Sequence, residues 1–268
     1  MKKISIIIPL YNLEGLIGKC IASALDQDLP PEEYEVIVVD DGSTDGSLAA
    51  AQRAACGHAN VQVHAKPNEG VSLARNYGTE RAAGRYVMYV DADDYLSPSV
   101  LGGLTQIMDR ERLDMLCFDM AGVDEHGGDL PLWSDGLFAR GGGEVQSGRD
   151  FLRRDCFLPM ACAYLYDRAM LERHGLGMLP MRHEDEEFTP RAIYFAKRIR
   201  YVPIRVYNYL QHNGSFMGSY DPQRRSDFVR AMKSLTGFAA LIEESDPEGA
   251  RLMRLHVGKT MFFACKQT

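Results

Sequence analysis

Three carboxylates in four residues, Asp91, Asp93 and Asp94, close the short apolar run Tyr86–Val90. Such a run of β-branched and aromatic residues reads as a buried strand. The acids therefore crowd the carboxyl end of a strand, which is where open α/β sheets bind their ligands. Carboxylates packed this closely repel one another unless a cation sits among them, and hard divalent cations favour oxygen ligands. An isolated Asp-x-Asp also reads as an acidic turn. Ser97 and Pro98 then predict a helix start, with serine as N-cap and proline at the first position.

The other polar clusters favour chemistry over an ordinary turn. Tyr11-Asn12 follows the apolar run Ile4–Pro9, Asp40-Asp41 follows Val36–Val39, and Asn68-Glu69 follows Val61–Ala65. Parallel strands place all four clusters on one edge of a sheet, and loops at strand ends are where such folds put function.

The elements between the clusters fit that arrangement. Leu13, Leu16, Ile17, Cys20, Ile21, Ala24 and Leu25 recur on one face of a 3.6-residue period, predicting a helix that Asn12 can cap. An Ala-rich helix ends near Gly57, and another runs from Val71 to Ala83, stopped by Gly84. Strand and helix alternating in this way predict a mostly parallel sheet flanked by helices. Further on, a helix reaches about Arg110 and a strand covers Leu113–Phe118. Residues 119–148 are rich in loop formers, as short hairpins or a flexible substrate loop. Arg149–Asp155 and Tyr164–His174 read as helical, and Tyr201–Val202 with Arg205–Tyr209 as a hairpin. His183-Glu184-Asp185-Glu186-Glu187-Phe188 opens an amphipathic run, an acidic first turn favoured by the helix dipole. Two helices end the chain, one with Phe228, Met232, Leu235, Phe238 and Ile242 on one face and one starting at Asp246-Pro247.

Composition narrows the function classes. The formal net charge of −7 argues against a nucleic-acid surface, which needs clustered lysine and arginine. Six scattered cysteines, without metal-type spacing, read as reduced thiols of a cytoplasmic protein. No stretch has the length and apolarity of a membrane span, so membrane contact is at most peripheral, at the inner face. A dinucleotide-dependent dehydrogenase fails because no GxGxxG follows the first strand.

Five stretches carry a resemblance: SIIIPLYN (Ser5–Asn12), VVDDGSTDGS (Val38–Ser47), NEGVSLARNYG (Asn68–Gly78), GRYVMYVDADD (Gly84–Asp94) and HEDEEF (His183–Phe188). In order and spacing they resemble the inverting glycosyltransferases of family two, which have the GT-A fold. Tyr207-Asn208-Tyr209 through Ser215 is similar to a common ending of that family. The resemblance implies that Pro9, Tyr11 and Asp40 contact a nucleobase, and that Asp91 holds the ribose. It implies that Asp93 binds Mn²⁺ or Mg²⁺ together with a diphosphate, and that Arg75 lies beside the nucleotide. Asp185, about ninety residues beyond Asp93, matches the general base. His183 and His212 are left without a role.

The expected organisation is a nucleotide-sugar-binding α/β half over 1–118, an acceptor-side half over 119–218 and C-terminal helices over 219–268. The expected function is metal-dependent transfer of a sugar, with inversion, from a UDP-sugar to a hydroxyl of a glycan or lipid-linked acceptor in surface polysaccharide biosynthesis. A nucleotidyltransferase is the alternative enzyme, disfavoured because Pro9-Leu10-Tyr11-Asn12 stands where a Gly-rich triphosphate loop would be. A non-catalytic nucleotide-sugar-binding protein is the other, disfavoured by the presence of both Asp93 and Asp185. The only tryptophan, Trp133, lacks the Gln-x-x-Arg lead that processive synthases of the family carry.

Overall fold

Ile4–Leu10 forms β1, and every residue of it is buried. Continuous β-branched runs of this kind suit strands covered on both faces. The structure, a computed structural model, describes residues 2–132, 134–211 and 222–266. Trp133 and His212 lie outside them. β1 pairs in parallel with β2 (Tyr34–Asp40) and β4 (Tyr86–Tyr89), and β2 with β3 (Val61–Ala65). The period-2 alternation of strands sends neighbouring side chains into two cores. Ile4, Ile6, Ile8 and Leu10 pack with α1 (Ile17–Leu25) and α4 (Leu101–Glu111). Ile7, Ile37, Val39 and Tyr89 pack on the opposite side with α3 (Val71–Arg81). α2 (Ser47–Ala55) leans its Ala51 on the first core.

Beyond β4 the sheet becomes mixed. The remaining strands are β5 (Tyr95–Leu96), β6 (Met115–Val123), β7 (Asp129–Leu130), β8 (Tyr164–Asp167) and β9 (Ile199–Leu210). The order is β3-β2-β1-β4-β8-β6-β9-β5, with β7 on β6. β8 runs antiparallel to both β4 and β6, whereas β6 and β9 are parallel. One sheet therefore joins the two halves of the chain, and β5 carries the chain just past Asp94 onto β9.

Four local expectations need correction. Tyr164–His174 is not one helix: Tyr164 and Tyr166 face one core and Leu165 the other, and only Arg168–Arg173 (α6) is helical. Apolar residues this dense fit either period, and the slot between β4 and β6 selects the strand. The expected hairpin at 201–209 is one strand. Its register against β6 slips beside Asp119, with Pro203 and Ile204 unpaired there, so the proline marks a bulge and not a turn. Ser97 does not cap α4. Its N–H donates to the Val206 carbonyl at 2.8 Å, while Gln27 Oε1 accepts from Val100 and Leu101 and Asp28 Oδ1 from Gly102. Asn12 does not cap α1, which starts at Ile17; its Oδ1 instead accepts from the Thr44 N–H at 2.8 Å.

α5 (Gly148–Arg154), α7 (Glu184–Phe195), α8 (Pro222–Ile242) and α9 (Pro247–Lys266) cover the second core. α9 starts where expected, and Asp246 Oδ1 accepts from the Gly249 N–H at 3.1 Å, which caps it. Cys20, Cys117, Cys156 and Cys162 are buried free thiols, and Cys56 is an exposed one. No helix among the described residues is long and apolar enough to cross a membrane.

α9 carries a buried imidazole. His256 lies 4.9 Å, centroid to centroid, from Phe157, and its Nε2 has no partner among the described residues. Burial lowers its pKa to about 4, against about 6.5 in an unfolded chain. Between those values the unfolded chain binds a proton that the native chain does not, so stability falls as pH drops from about 6.5 towards 4. The full loss is about 3 kcal/mol. Urea unfolding at pH 7 and pH 4.5 should show most of this loss in the wild type and a smaller one in His256→Leu. Equal losses in the two proteins would remove His256 as the cause.

Candidate active site

The carboxyl ends of β1, β2 and β4 bring the polar clusters to one edge. Pro9 is buried within β1 opposite Val39, and Tyr11, just beyond, is 48% exposed. Asp40 ends β2 and is buried. Its Oδ2 accepts from the Ser43 N–H at 3.3 Å, and its Oδ1 has no partner among the described residues. A buried acceptor left unpaired is unfavourable, so Asp40 is set up to receive an N–H from elsewhere. Asp41 differs, because its oxygens are already taken up. They accept from Lys66 Nζ at 2.6 Å and from the N–H groups of Glu69 and Gly70 at 3.0 and 2.7 Å. Asp41 thereby pins the 66–70 loop beside the end of β2. Gly42 allows the close approach: its φ is +72°, and a Cβ there would stand 2.8 Å from the Asn68 nitrogen.

The acids after β4 separate into distinct roles. Asp91 Oδ1 accepts from Arg75 Nη2 at 2.6 Å. Asp94 is buried, and accepts from the Tyr207 hydroxyl at 2.6 Å and the Leu210 N–H at 2.8 Å. Burial raises its pKa well above the usual range, with Asp93 and Asp91 adding to the rise. Asp94 is thus the latch between the acidic turn and β9, and the same Tyr207 hydroxyl accepts from the Asp91 N–H at 3.1 Å. Asp93 is partly exposed. Among the described residues no three His, Cys, Asp or Glu side chains form a metal cage. Asp91 and Asp93 offer carboxylate oxygens at this strand end, the donor type that hard divalent cations take. The protein already answers part of the expected repulsion among these acids with the guanidinium of Arg75.

Arg75 is the hub of the site. It is 3% exposed on α3, and its Nη1 donates to Glu184 Oε1 at 2.7 Å and to Asp185 Oδ1 at 3.1 Å. One guanidinium therefore joins the end of β4 to the first turn of α7. Of the expected site residues, Arg75, Asp91 and Asp185 are directly bonded together. Pro9, Tyr11 and Asp40 stand at the neighbouring strand ends and bond none of those three. The three carboxylates exceed the single positive charge. Burial drives the Asp185 carboxyl well above the ordinary range; Arg75 opposes this, and Glu184, Asp91 and Glu186 reinforce it. Burial raises Glu184 also, again against Arg75.

The acidic turn of α7 is not a solvated helix start. Glu184 and Glu187 are buried. Glu187 pairs with Arg191 at 2.5 Å and accepts from Ser234 Oγ of α8 at 2.9 Å, while Glu186 Oε1 lies 3.0 Å from His183 Nδ1. Two further clasps seat α7 against α3. Ser72 Oγ donates to the Met181 carbonyl at 2.8 Å, and Asn76 exchanges bonds of 2.8 and 2.9 Å with the Met178 backbone. Sequence reasoning gave Glu184 and Tyr207 no role of their own and did not separate Asp94 from its neighbouring acids. HEDEEF, the Tyr-Asn-Tyr stretch and GRYVMYVDADD hold all three, but nothing local reveals a partner more than a hundred residues away.

Comparison with known proteins identifies the family and the fold. The family model described as glycosyl transferase family 2 matches residues 5–175. The chain is 31% identical over 224 residues to the glycosyltransferase YibD of Escherichia coli, covering 80% of this chain and 62% of YibD. It is 29% identical over 259 residues to the poly(ribitol-phosphate) beta-glucosyltransferase of Bacillus spizizenii, covering 94% of this chain and 39% of that protein. The chain thus spans less than two thirds of these relatives. The crystal structure of Staphylococcus aureus TarS 1-349 in complex with UDP-GlcNAc superposes with a TM-score of 0.75 at 26% identity, over 93% of this chain and 69% of that one. The sheet and its helices are thus a GT-A fold, and the chain belongs to glycosyltransferase family 2.

Proposed function

We propose that the chain transfers a sugar from a UDP-sugar to an acceptor hydroxyl by a single displacement with inversion. The observation that carries this reading is the Asp91–Arg75–Asp185 link. It fixes a carboxylate of the second half of the chain at a set place relative to the strand-end acids of the first. In this reading Asp40 receives the N–H of the base through its unpaired oxygen, Tyr11 stacks on the ring above Pro9, and Asp91 faces the ribose. TarS has been solved with UDP and with UDP-GlcNAc, which supports a uridine donor. Asp185 accepts the proton of the acceptor hydroxyl as that oxygen attacks the anomeric carbon from the face opposite the departing diphosphate. Asp93 would hold Mn²⁺ or Mg²⁺, which when bound would supply positive charge against the negative charge growing on the leaving group. The acceptor is a hydroxyl of a glycan or polyol polymer, a class supported by the Bacillus spizizenii relative named for poly(ribitol-phosphate).

Calorimetric titration of UDP tests the donor site. With Mn²⁺ present the wild type should bind UDP at least tenfold more tightly than with EDTA, and Asp93→Ala should bind no better with Mn²⁺ than without. Equal affinity in all four conditions would overturn the metal assignment. Absence of UDP binding would overturn the donor.

A further inference from the structure

The backbone at His183 is unusual for its place. It is the N-cap of α7 with φ 68° and ψ 28°, in the left-handed region, and its side chain makes no capping bond. N-caps normally lie in the β region and accept from the helix through a short polar side chain. Left-handed non-glycine residues are strained and persist only where their surroundings hold them. Here the surroundings do so from several sides. His183 Nδ1 lies 3.0 Å from Glu186 Oε1, and the ring stands edge-on to Phe228 of α8 at 5.4 Å.

The flanking contacts show what this turn achieves. Two residues before it, the Met181 carbonyl accepts from Ser72 of α3. One residue before it, the Arg182 N–H donates to Asp227 of α8 at 3.1 Å. Immediately after it, Glu184 and Asp185 reach Arg75, one turn further along α3 from Ser72. The chain meets α3, touches α8 and returns to α3 within five residues. A left-handed residue at 183 permits that reversal.

We infer that His183 is a positioning residue for the base: its left-handed backbone, held by Glu186 and Phe228, seats Glu184 and Asp185 on Arg75. This rests on the proposed role of Asp185, so the test has one readout that needs no donor. In nitrogen-detected NMR the Arg75 guanidinium should give separate, slowly exchanging Nη–H signals in the wild type, since carboxylates hold both ends. His183→Ala, which loses the ring contacts and is strained at this φ, should collapse them into an averaged signal. His183→Asn tolerates the left-handed region and keeps a polar group for Glu186, so it should restore them, with His183→Gly between. UDP release from UDP-GlcNAc in Mn²⁺ should follow the same order, about tenfold slower in His183→Ala, with unchanged UDP affinity, all measured below each variant's melting point. Unchanged Arg75 signals in His183→Ala would overturn the inference. So would restored signals with dead turnover in His183→Asn, which would make the imidazole itself catalytic. No turnover of UDP-GlcNAc by the wild type would count against the donor assignment and leave the NMR result to decide on His183.

Discussion

Asp185→Asn should lower kcat roughly 10²–10⁴-fold, the range for losing a general base, while UDP affinity barely changes. The amide keeps the shape and can remain near Arg75, but it cannot take the acceptor's proton. Stability separates this result from a structural one. Burial raises the pKa of Asp185 in the folded chain, so its contribution to stability is present below the unfolded value near 4 and is lost as pH rises through the folded value. Above the unfolded value the acid is therefore a burden on the fold, and Asp185→Asn should raise the melting temperature while kcat falls. Loss of a carboxylate that merely favoured the helix dipole would lower the melting temperature instead. The same raised pKa places the acidic limb of the wild-type rate profile above the ordinary carboxylate range. Glu184→Gln and Glu186→Gln are the controls: if either loses kcat while Asp185→Asn keeps it, the base is a different acid of this turn.

The first ninety-four residues were the most legible because each strand and its polar cluster are local in sequence. Ile4–Leu10 can be buried on both faces and nothing else, and a cluster after a parallel strand has one possible edge. The second half was less so. Tyr164–Asp167 becomes a strand only because β4 and β6 leave a slot for it, and Pro203 looks like a turn until β6 is seen to continue past it. The site divides in the same way. Residue types at the strand ends announced Asp40, Asp91 and Asp93 as candidates, and HEDEEF announced Asp185. The sorting of the acids did not show. Asp94 faces Tyr207 across 113 positions, and Arg75 faces Asp185 across 110. An arginine on a helix beside Ser72, Ala74 and Gly78 shows no such partners in sequence; the segment from Met178 to Asp185 supplies them.

Arg75→Met should have the largest effect on the fold. Methionine matches the aliphatic stem of arginine, so packing on α3 is largely kept, but Asp91, Glu184 and Asp185 are left without their cation. Removing one partner of a buried ion pair destabilises by about 3–5 kcal/mol, because the remaining charge is uncompensated. Three carboxylates on one guanidinium place this case at the upper end. The penalty depends on ionisation, so it should be full at pH 7 and shrink as pH falls and the carboxyl groups take up protons. Chemical unfolding of the wild type and Arg75→Met at pH 7 and pH 4.5 measures it directly. Arg75→Lys should recover part of the stability, since an ammonium supplies the charge but cannot reach Asp91 and the α7 acids with a rigid fork. A triple variant, Arg75→Met with Asp91→Asn and Glu184→Gln, removes the cation together with two of its three carboxylates and leaves Asp185 alone, so it should regain part of the stability and none of the turnover. That pairing of outcomes separates charge balance from geometry: recovered turnover would show that Asp185 needs no link to the strand-end acids. A loss below about 1 kcal/mol in Arg75→Met, the scale of an exposed pair, would mean that the guanidinium is not what holds the two halves of the site together.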